Sequence, residues 1–349
     1  MKRIICMALV LACMAGYSGC SSPGTSAESG AQPDPPAETM TPETASVQDW
    51  GAAYKAKIRE VANGYSPMFS IRDIGGDAVP ELIVSADDGT YFYAYQDGIR
   101  EIAVLDAGYM EYDPEDGVIV YTSEPALNGK TDRYASWNGQ EMTDPGKGGS
   151  VDHLRLSRDY DCTDCMIEAA CTEKASWQEC YSDFLNAYIA EYAINPETNP
   201  TTFSLHDLDA DGIPELCVSQ GDYHAASVWI FTYRGNLISY GLHGAYGSVG
   251  WYPEKQMLGF GDLHMGYSMS VYSVLDKKAA AFCDRYVFED NSGAVMEEDE
   301  VYYLVNDEQV TKEESDRIFR EQIPQQDPVY LGADFPLTPE NVASAIAAY

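Results

Sequence analysis

Apolar residues recur at two periods along the chain, and the two periods alternate in the same order twice. Trp50, Tyr54, Ile58 and Val61 fall on one helical face, with Asp49 placed to cap the segment and Asn63-Gly64 to stop it. Trp177, Tyr181, Phe184, Tyr188 and Tyr192 repeat that stripe behind a capping box of Ser176 and Glu179. After each helix the period shortens toward two. Residues 91–95 and 99–104 flank an Asp97-Gly98 turn, and residues 228–233 and 237–240 flank Gly235-Asn236, so each pair reads as a hairpin. Residues 118–121, 269–275 and 301–305 add strands between Gly, Asn and Asp turns. Thr311 with Glu314, and Thr338-Pro339, start two further helices. The expected fold class is α+β: two duplicated modules, each a helix, an acidic loop and an antiparallel β-meander.

The duplication is legible in the residues themselves. Phe69-Ser70-Ile71-Arg72-Asp73-Ile74-Gly75-Gly76-Asp77-Ala78-Val79-Pro80-Glu81-Leu82 is matched 134 positions later, Asp73 to Asp207, by Phe203-Ser204-Leu205-His206-Asp207-Leu208-Asp209-Ala210-Asp211-Gly212-Ile213-Pro214-Glu215-Leu216. Pro114-Glu115 against Pro253-Glu254, and Tyr134 with Trp137 against Tyr272 with Leu275, keep nearly the same offset. The expected organisation is a leader at 1–19, a stalk at 20–48, a first module at 49–150, a Cys-containing connector at 151–175, a second module at 176–310 and C-terminal helices at 311–349.

The second acidic loop carries the clearest chemistry. Asp207, Asp209, Asp211 and Glu215 occupy alternating positions on a tight turn, Gly212 permits a left-handed backbone, and the Ile213 carbonyl adds a neutral oxygen. Such a set suits a hard cation that takes six to eight oxygens, Ca²⁺ above all, and one ion per chain is expected. An EF-hand would continue into a helix with a glutamate at its twelfth position; here Val218 stands there, within a strand-like run. The loop resembles instead those between strands of integrin-type calcium repeats. In the first copy Gly75 replaces the second aspartate and Ala78 the glycine, so weak or absent binding is expected at Asp73, Asp77 and Glu81.

The N-terminal end reads as an export signal. Lys2 and Arg3 precede an apolar run at 4–15, too short to span a bilayer, and Gly16-Tyr17-Ser18-Gly19 leads to Cys20. This segment resembles the lipobox of bacterial lipoproteins, with Tyr17 departing from the usual leucine; the resemblance implies acylation of Cys20 and a membrane anchor. A rival lipobox at Cys13 would shorten the apolar core to residues 4–12. Beyond Cys20, five prolines among Ser, Thr, Gly, Ala and Glu, without an aromatic residue, describe a stalk that builds no core. The whole arrangement resembles lipoproteins of Gram-positive gut bacteria in which a lipobox and stalk precede helix, acidic-loop and β-meander modules. That resemblance sets no activity.

Charge and cysteines narrow the partners. A formal net charge of −35, with 21 Lys and Arg against 56 Asp and Glu, excludes nucleic acid and anionic lipid head groups as ligands. Cys162, Cys165, Cys171, Cys180, Cys217 and Cys283 remain once the leader and Cys20 are set aside; an even number in an exported protein leaves disulfides and buried thiols both open. Cys162-x-x-Cys165 lacks the second ligand pair that a zinc site needs. His206, His224, His243 and His264 show no metal-ligand spacing, and there is no nucleophile elbow or phosphate loop. The expected function is a surface lipoprotein with structural calcium, binding an extracellular glycan, peptide or protein, with no catalytic residue assigned. The alternative is a secreted hydrolase using carboxylates of the meander.

Overall fold

The computed structural model describes residues 48–105, 109–113, 118–122, 132–137, 141–143, 154–155, 159–195, 197–198, 200–221, 227–243, 249–264, 267–274, 285–288, 303–305, 308–322 and 327–349. The leader, Cys20 and the stalk up to residue 47 lie outside them, as does Cys283.

The chain opens with helix α1 (Gln48–Val61), β1 (Met68–Arg72), β2 (Glu81–Ala86), β3 (Gly89–Tyr95) and β4 (Ile99–Leu105). It continues through β5 (Tyr109–Asp113), β6 (Val118–Thr122), β7 (Asp132–Trp137), β8 (Met142–Thr143), β9 (Leu154–Arg155), β10 (Tyr160–Asp161) and helix α2 (Asp164–Cys171). Helix α3 (Trp177–Glu191) then leads to β11 (Thr202–His206), β12 (Glu215–Ser219), β13 (Val228–Tyr233), β14 (Leu237–His243) and β15 (Val249–Tyr252). After a short 3₁₀ turn come β16 (Met257–His264), β17 (Tyr267–Val274), β18 (Arg285–Phe288), β19 (Tyr303–Val305), β20 (Glu308–Val310) and helix α4 (Lys312–Gln322). The chain closes with β21 (Val329–Tyr330), β22 (Phe335–Pro336) and helix α5 (Pro339–Ala348). Helices and antiparallel sheets make this an α+β fold.

Four five-stranded sheets are ordered β10-β1-β2-β3-β4, β8-β7-β6-β5-β9, β14-β13-β12-β11-β22 and β18-β17-β16-β15-β21. Strand alternation sorts their side chains into layers. Leu82, Val84 and Tyr93 face α1 and α2, while Ile83, Phe92 and Ala94 face Ile119, Ala135 and Trp137 of the second sheet. In the later half Leu216, Val218, Trp229 and Phe231 face the helices, and Cys217, Val228 and Ile230 meet Val249, Trp251 and Leu258. Each half is thus a helical layer, a sheet and a second sheet.

The pairings of the two halves coincide. Phe69 opposes Val84 as Phe203 opposes Val218. A bulge interrupts the next hairpin between Phe92 and Tyr93, and again between Ile230 and Phe231. Trp50 and Tyr54 tilt at 52° with ring centroids 5.5 Å apart; Trp177 and Tyr181 do so at 53° and 5.6 Å. The outer strands correspond as well: Tyr160 of β10 lies opposite Phe69, and Phe335 of β22 opposite Phe203. Arg155 of β9 pairs with Glu111, and Tyr330 of β21 with Gly250.

These outer strands change the expected organisation. Residues 151–175, read as a connector with little pattern, supply β9 and β10 to the first two sheets, and α2 buries Cys165, Met166, Ile167, Ala169, Ala170 and Cys171. A helix apolar on nearly every side has no amphipathic period to betray it. Residues 311–349 likewise return β21 and β22 to the later sheets. Met257 and Val305 form a separate small core with Ile318 and Phe319 of α4.

The helices of both halves share one core. Helix α2 packs on α1 and α3, and Gly51 permits the first contact, since a Cβ there would lie 2.3 Å from the Cys171 carbonyl oxygen. Glu191 of α3 accepts from the Asp164 and Cys165 amides at 2.9 and 2.7 Å, closing the N-terminus of α2. The Tyr160 hydroxyl donates to the Leu237 carbonyl and accepts from the Ser239 amide, both at 2.9 Å. Helix starts fall near their expected places: Ser176, Thr311 and Thr338 each accept from the amide three residues on. Asp49 lies inside helix α1 (Gln48–Val61) rather than capping it. Among the described residues no helix is long and apolar enough to cross a membrane.

Candidate metal site

Each acidic loop joins the first two strands of its half, and both trace the same backbone. Gly76 and Ala210 take φ of 70° and 61°, and two residues later Ala78 and Gly212 take 67° and 86°. Each loop therefore has two left-handed residues and a glycine at only one of them, in opposite order. A helix tyrosine pins the far end of each. The Tyr54 hydroxyl donates to the Pro80 carbonyl at 2.6 Å and that of Tyr181 to the Pro214 carbonyl at 2.8 Å. The next residue is in each case a buried glutamate, Glu81 or Glu215, directed between the two sheets.

In the second loop one carboxylate oxygen each of Asp207, Asp209 and Glu215 lies within 4.8 Å of the others. Glu215 has no exposed surface. Its Oε2 accepts from the Leu208 amide at 2.7 Å, and its Oε1 is buried and makes no well-aligned hydrogen bond among the described residues, with the Thr232 hydroxyl close by. Burial, followed by the charges of Asp209 and Asp211, pushes the Glu215 carboxyl up to about 7, with the Leu208 amide and the Thr232 hydroxyl opposing. Burial also raises Asp209, and the Asp211 and Asp207 charges add to it. Asp207 and Asp209 each accept one amide, from Gly212 at 3.1 Å and Asp211 at 3.2 Å. Asp211 stands apart from the three-residue cluster, its Oδ1 turned to the Ile213 amide at 2.7 Å. Of the expected ligands, then, three side chains converge, while Asp211 shapes the turn and Ile213 enters it through its amide.

The first loop is built differently. Asp73 accepts from the Gly76, Asp77 and Ala78 amides at 2.7, 3.1 and 3.0 Å. Glu81 Oε2 accepts from the Ile74 and Gly75 amides, and Oε1 from the Trp137 indole at 2.7 Å. Trp137 lies in β7 of the second sheet, and the sequence repeat alone gives no hint of this contact.

A second pairing flanks each loop. Arg72, one residue before Asp73, forms a bidentate ion pair with Asp159 at 2.7 and 2.6 Å. His206, one residue before Asp207, stands 3.3 Å from Asp334, near enough for an ion pair but without hydrogen-bond alignment. Burial lowers the His206 pKa, with Asp334 opposing. His224 and the side chains of His243 and His264 lie outside the described residues. Cys162, Cys165, Cys171, Cys180 and Cys217 are free thiols, all five pushed well up by burial, to about 12 for Cys162, Cys165, Cys171 and Cys180, which disfavours the thiolate at neutral pH.

A comparison with models of known protein families found no match, and neither did a comparison with curated proteins. Among solved structures, the crystal structure of TolB from Acinetobacter baumannii aligns at 8% identity over 60% of this chain and 61% of that one, with a TM-score of 0.13. A score that low carries no argument about fold or function.

Proposed function

We propose that the chain is an exported, lipid-anchored binding or scaffold protein, built from two copies of one helix–sheet–sheet module, in which the later copy holds a structural calcium ion. One observation carries the cation: three carboxylates converge in the second loop, and the innermost, Glu215, keeps a buried oxygen that makes no well-aligned hydrogen bond among the described residues. Close carboxylates repel one another, and burying one of them, Glu215, with few hydrogen bonds adds a desolvation cost. A divalent ion relieves both costs at once. Asp207, Asp209 and Glu215 would hold it, with the Ile213 carbonyl and water completing the six to eight oxygens that calcium takes. The ion supplies charge and cross-linking to the strand junction, a role in stability rather than catalysis.

Matching registers, matching bulges and the paired Trp–Tyr contacts support the two-copy reading. The anchor rests on the Cys20 segment, and the extracellular glycan, peptide or protein partner on the acidic, tyrosine-rich composition. Calorimetric titration of the chain with CaCl₂ tests the ion; one equivalent is expected, and no heat of binding would end this reading. Intact mass of the protein from its host tests the anchor, and an unacylated Cys20 would refute it. A blind screen against polysaccharides and peptides, with and without chelator, tests the role. Saturable binding without turnover is expected, and turnover would replace the scaffold with a hydrolase.

A further inference from the structure

We propose that Trp137 is the first loop's built-in substitute for a cation, and that it works only because Gly75 stands where the second loop has Asp209; this rests on the second loop being a cation site. The two loops share strand register, both left-handed positions and the tyrosine pin, so the same buried glutamate meets two solutions. In the first, both carboxylate oxygens of Glu81 are occupied: Oε2 by two amides and Oε1 by the indole N–H. In the second, Oε1 of Glu215 makes no well-aligned hydrogen bond among the described residues, against the 2.7 Å indole contact of the first.

Space ties residue 75 to residue 137. A Cβ on Gly75 would lie 3.2 Å from Glu81 Oε1, 3.3 Å from Trp137 Nε1 and 3.6 Å from its Cδ1. The indole thus fills the volume into which an aspartate at 75 would extend, and it brings a neutral N–H where the second loop brings a carboxylate. With the indole in place an aspartate at 75 has no room to turn toward a shared ion and only adds a second charge beside Glu81. Conversely, the indole makes both that aspartate and an ion unnecessary. Asp73 is closed off as well, with three backbone amides against the single one that Asp207 receives. The first loop is therefore permanently locked, and the second is locked by the ion, so a single protein carries an ion-independent and an ion-dependent form of the same junction.

Calcium titration of the full chain decides the matter. Wild type should take one equivalent, Gly75→Asp alone should still take one and melt at lower temperature, and Gly75→Asp with Trp137→Leu should take two, the second within about tenfold of the first in Kd. A folded double variant that stays at one equivalent, or uptake of a second ion by Gly75→Asp alone, overturns the proposal. If wild type takes none, the reading of the second loop has failed, and Trp137→Phe then tests the lock separately. Loss of the N–H should lower Tm equally in calcium and in chelator, as it also should if the double variant does not fold. An unchanged Tm, or a loss confined to chelator, would refute the lock.

Discussion

Replacing Glu215 by glutamine should do what few core substitutions do, which is to stabilise the calcium-free protein. Glu215 is fully buried beside Asp207 and Asp209, and its carboxyl is pushed up to about 7. For an acid whose folded pKa lies above the unfolded value, the neutral form is favoured by folding. That contribution is present at pH below about 4.5 and is lost as pH rises through about 7. At pH 8 without calcium the ionised side chain therefore costs roughly 3 kcal/mol, because every tenfold change in acidity between the unfolded and folded carboxyl is worth about 1.4 kcal/mol. Glutamine keeps an acceptor for the Leu208 amide, and its own N–H₂ finds acceptors in Asp207 and Asp209. In chelator at pH 8 the variant should gain about 1–3 kcal/mol over wild type in urea unfolding. Calcium should narrow or close that gap. At roughly 1 mM ion and a Kd near 10⁻⁴ M, binding stabilises wild type by about 1.4 kcal/mol, relief of the carboxylate cost included, and the variant gains nothing. Since the helices of both halves share one core, each protein should unfold in a single transition. A variant less stable than wild type in chelator, or one that still responds to calcium, would refute the account of Glu215.

Removing one partner of the Arg72–Asp159 pair should be severe, because Asp159 is 5% exposed: Arg72→Ala is expected to cost about 3–5 kcal/mol in urea unfolding. Arg72→His, which imitates the second half, should cost less, and equal losses would show that the charge is immaterial. Ala78→Gly and Ala210→Gly each relieve a left-handed alanine and should stabilise by about 0.5–1 kcal/mol, checked by thermal unfolding; a loss in both would contradict the shared backbone. Cys165, Cys171 and Cys180, with thiols pushed up to about 12, should resist iodoacetamide at pH 8 and react once urea unfolds the chain, as peptide mass mapping would read. Native labelling at the rate of a free thiol would place them at the surface.

By itself the sequence determined whatever is local in the chain. Helical stripes, Asp-Gly and Gly-Asn turns, and Ser and Thr caps act over a few residues, so α3, α5 and the hairpins stand close to where periodicity puts them. The acidic loop was legible for the same reason, since alternating carboxylates and a left-handed glycine lie within nine residues. Contacts between distant segments were decided only in three dimensions. Tyr160 and Phe335 reach β1 and β11 from far along the chain, two-residue strands leave no period to read, and α2 hides its helix in being apolar all round. Asp211 belongs to the motif by spacing, yet its carboxylate turns to the Ile213 amide because a tight turn satisfies its own N–H groups first. Trp137 shows the limit most plainly. A hydrogen bond to Glu81 across 56 positions depends on how two sheets stack, and stacking is set by the summed burial of many side chains rather than by any one stretch of sequence.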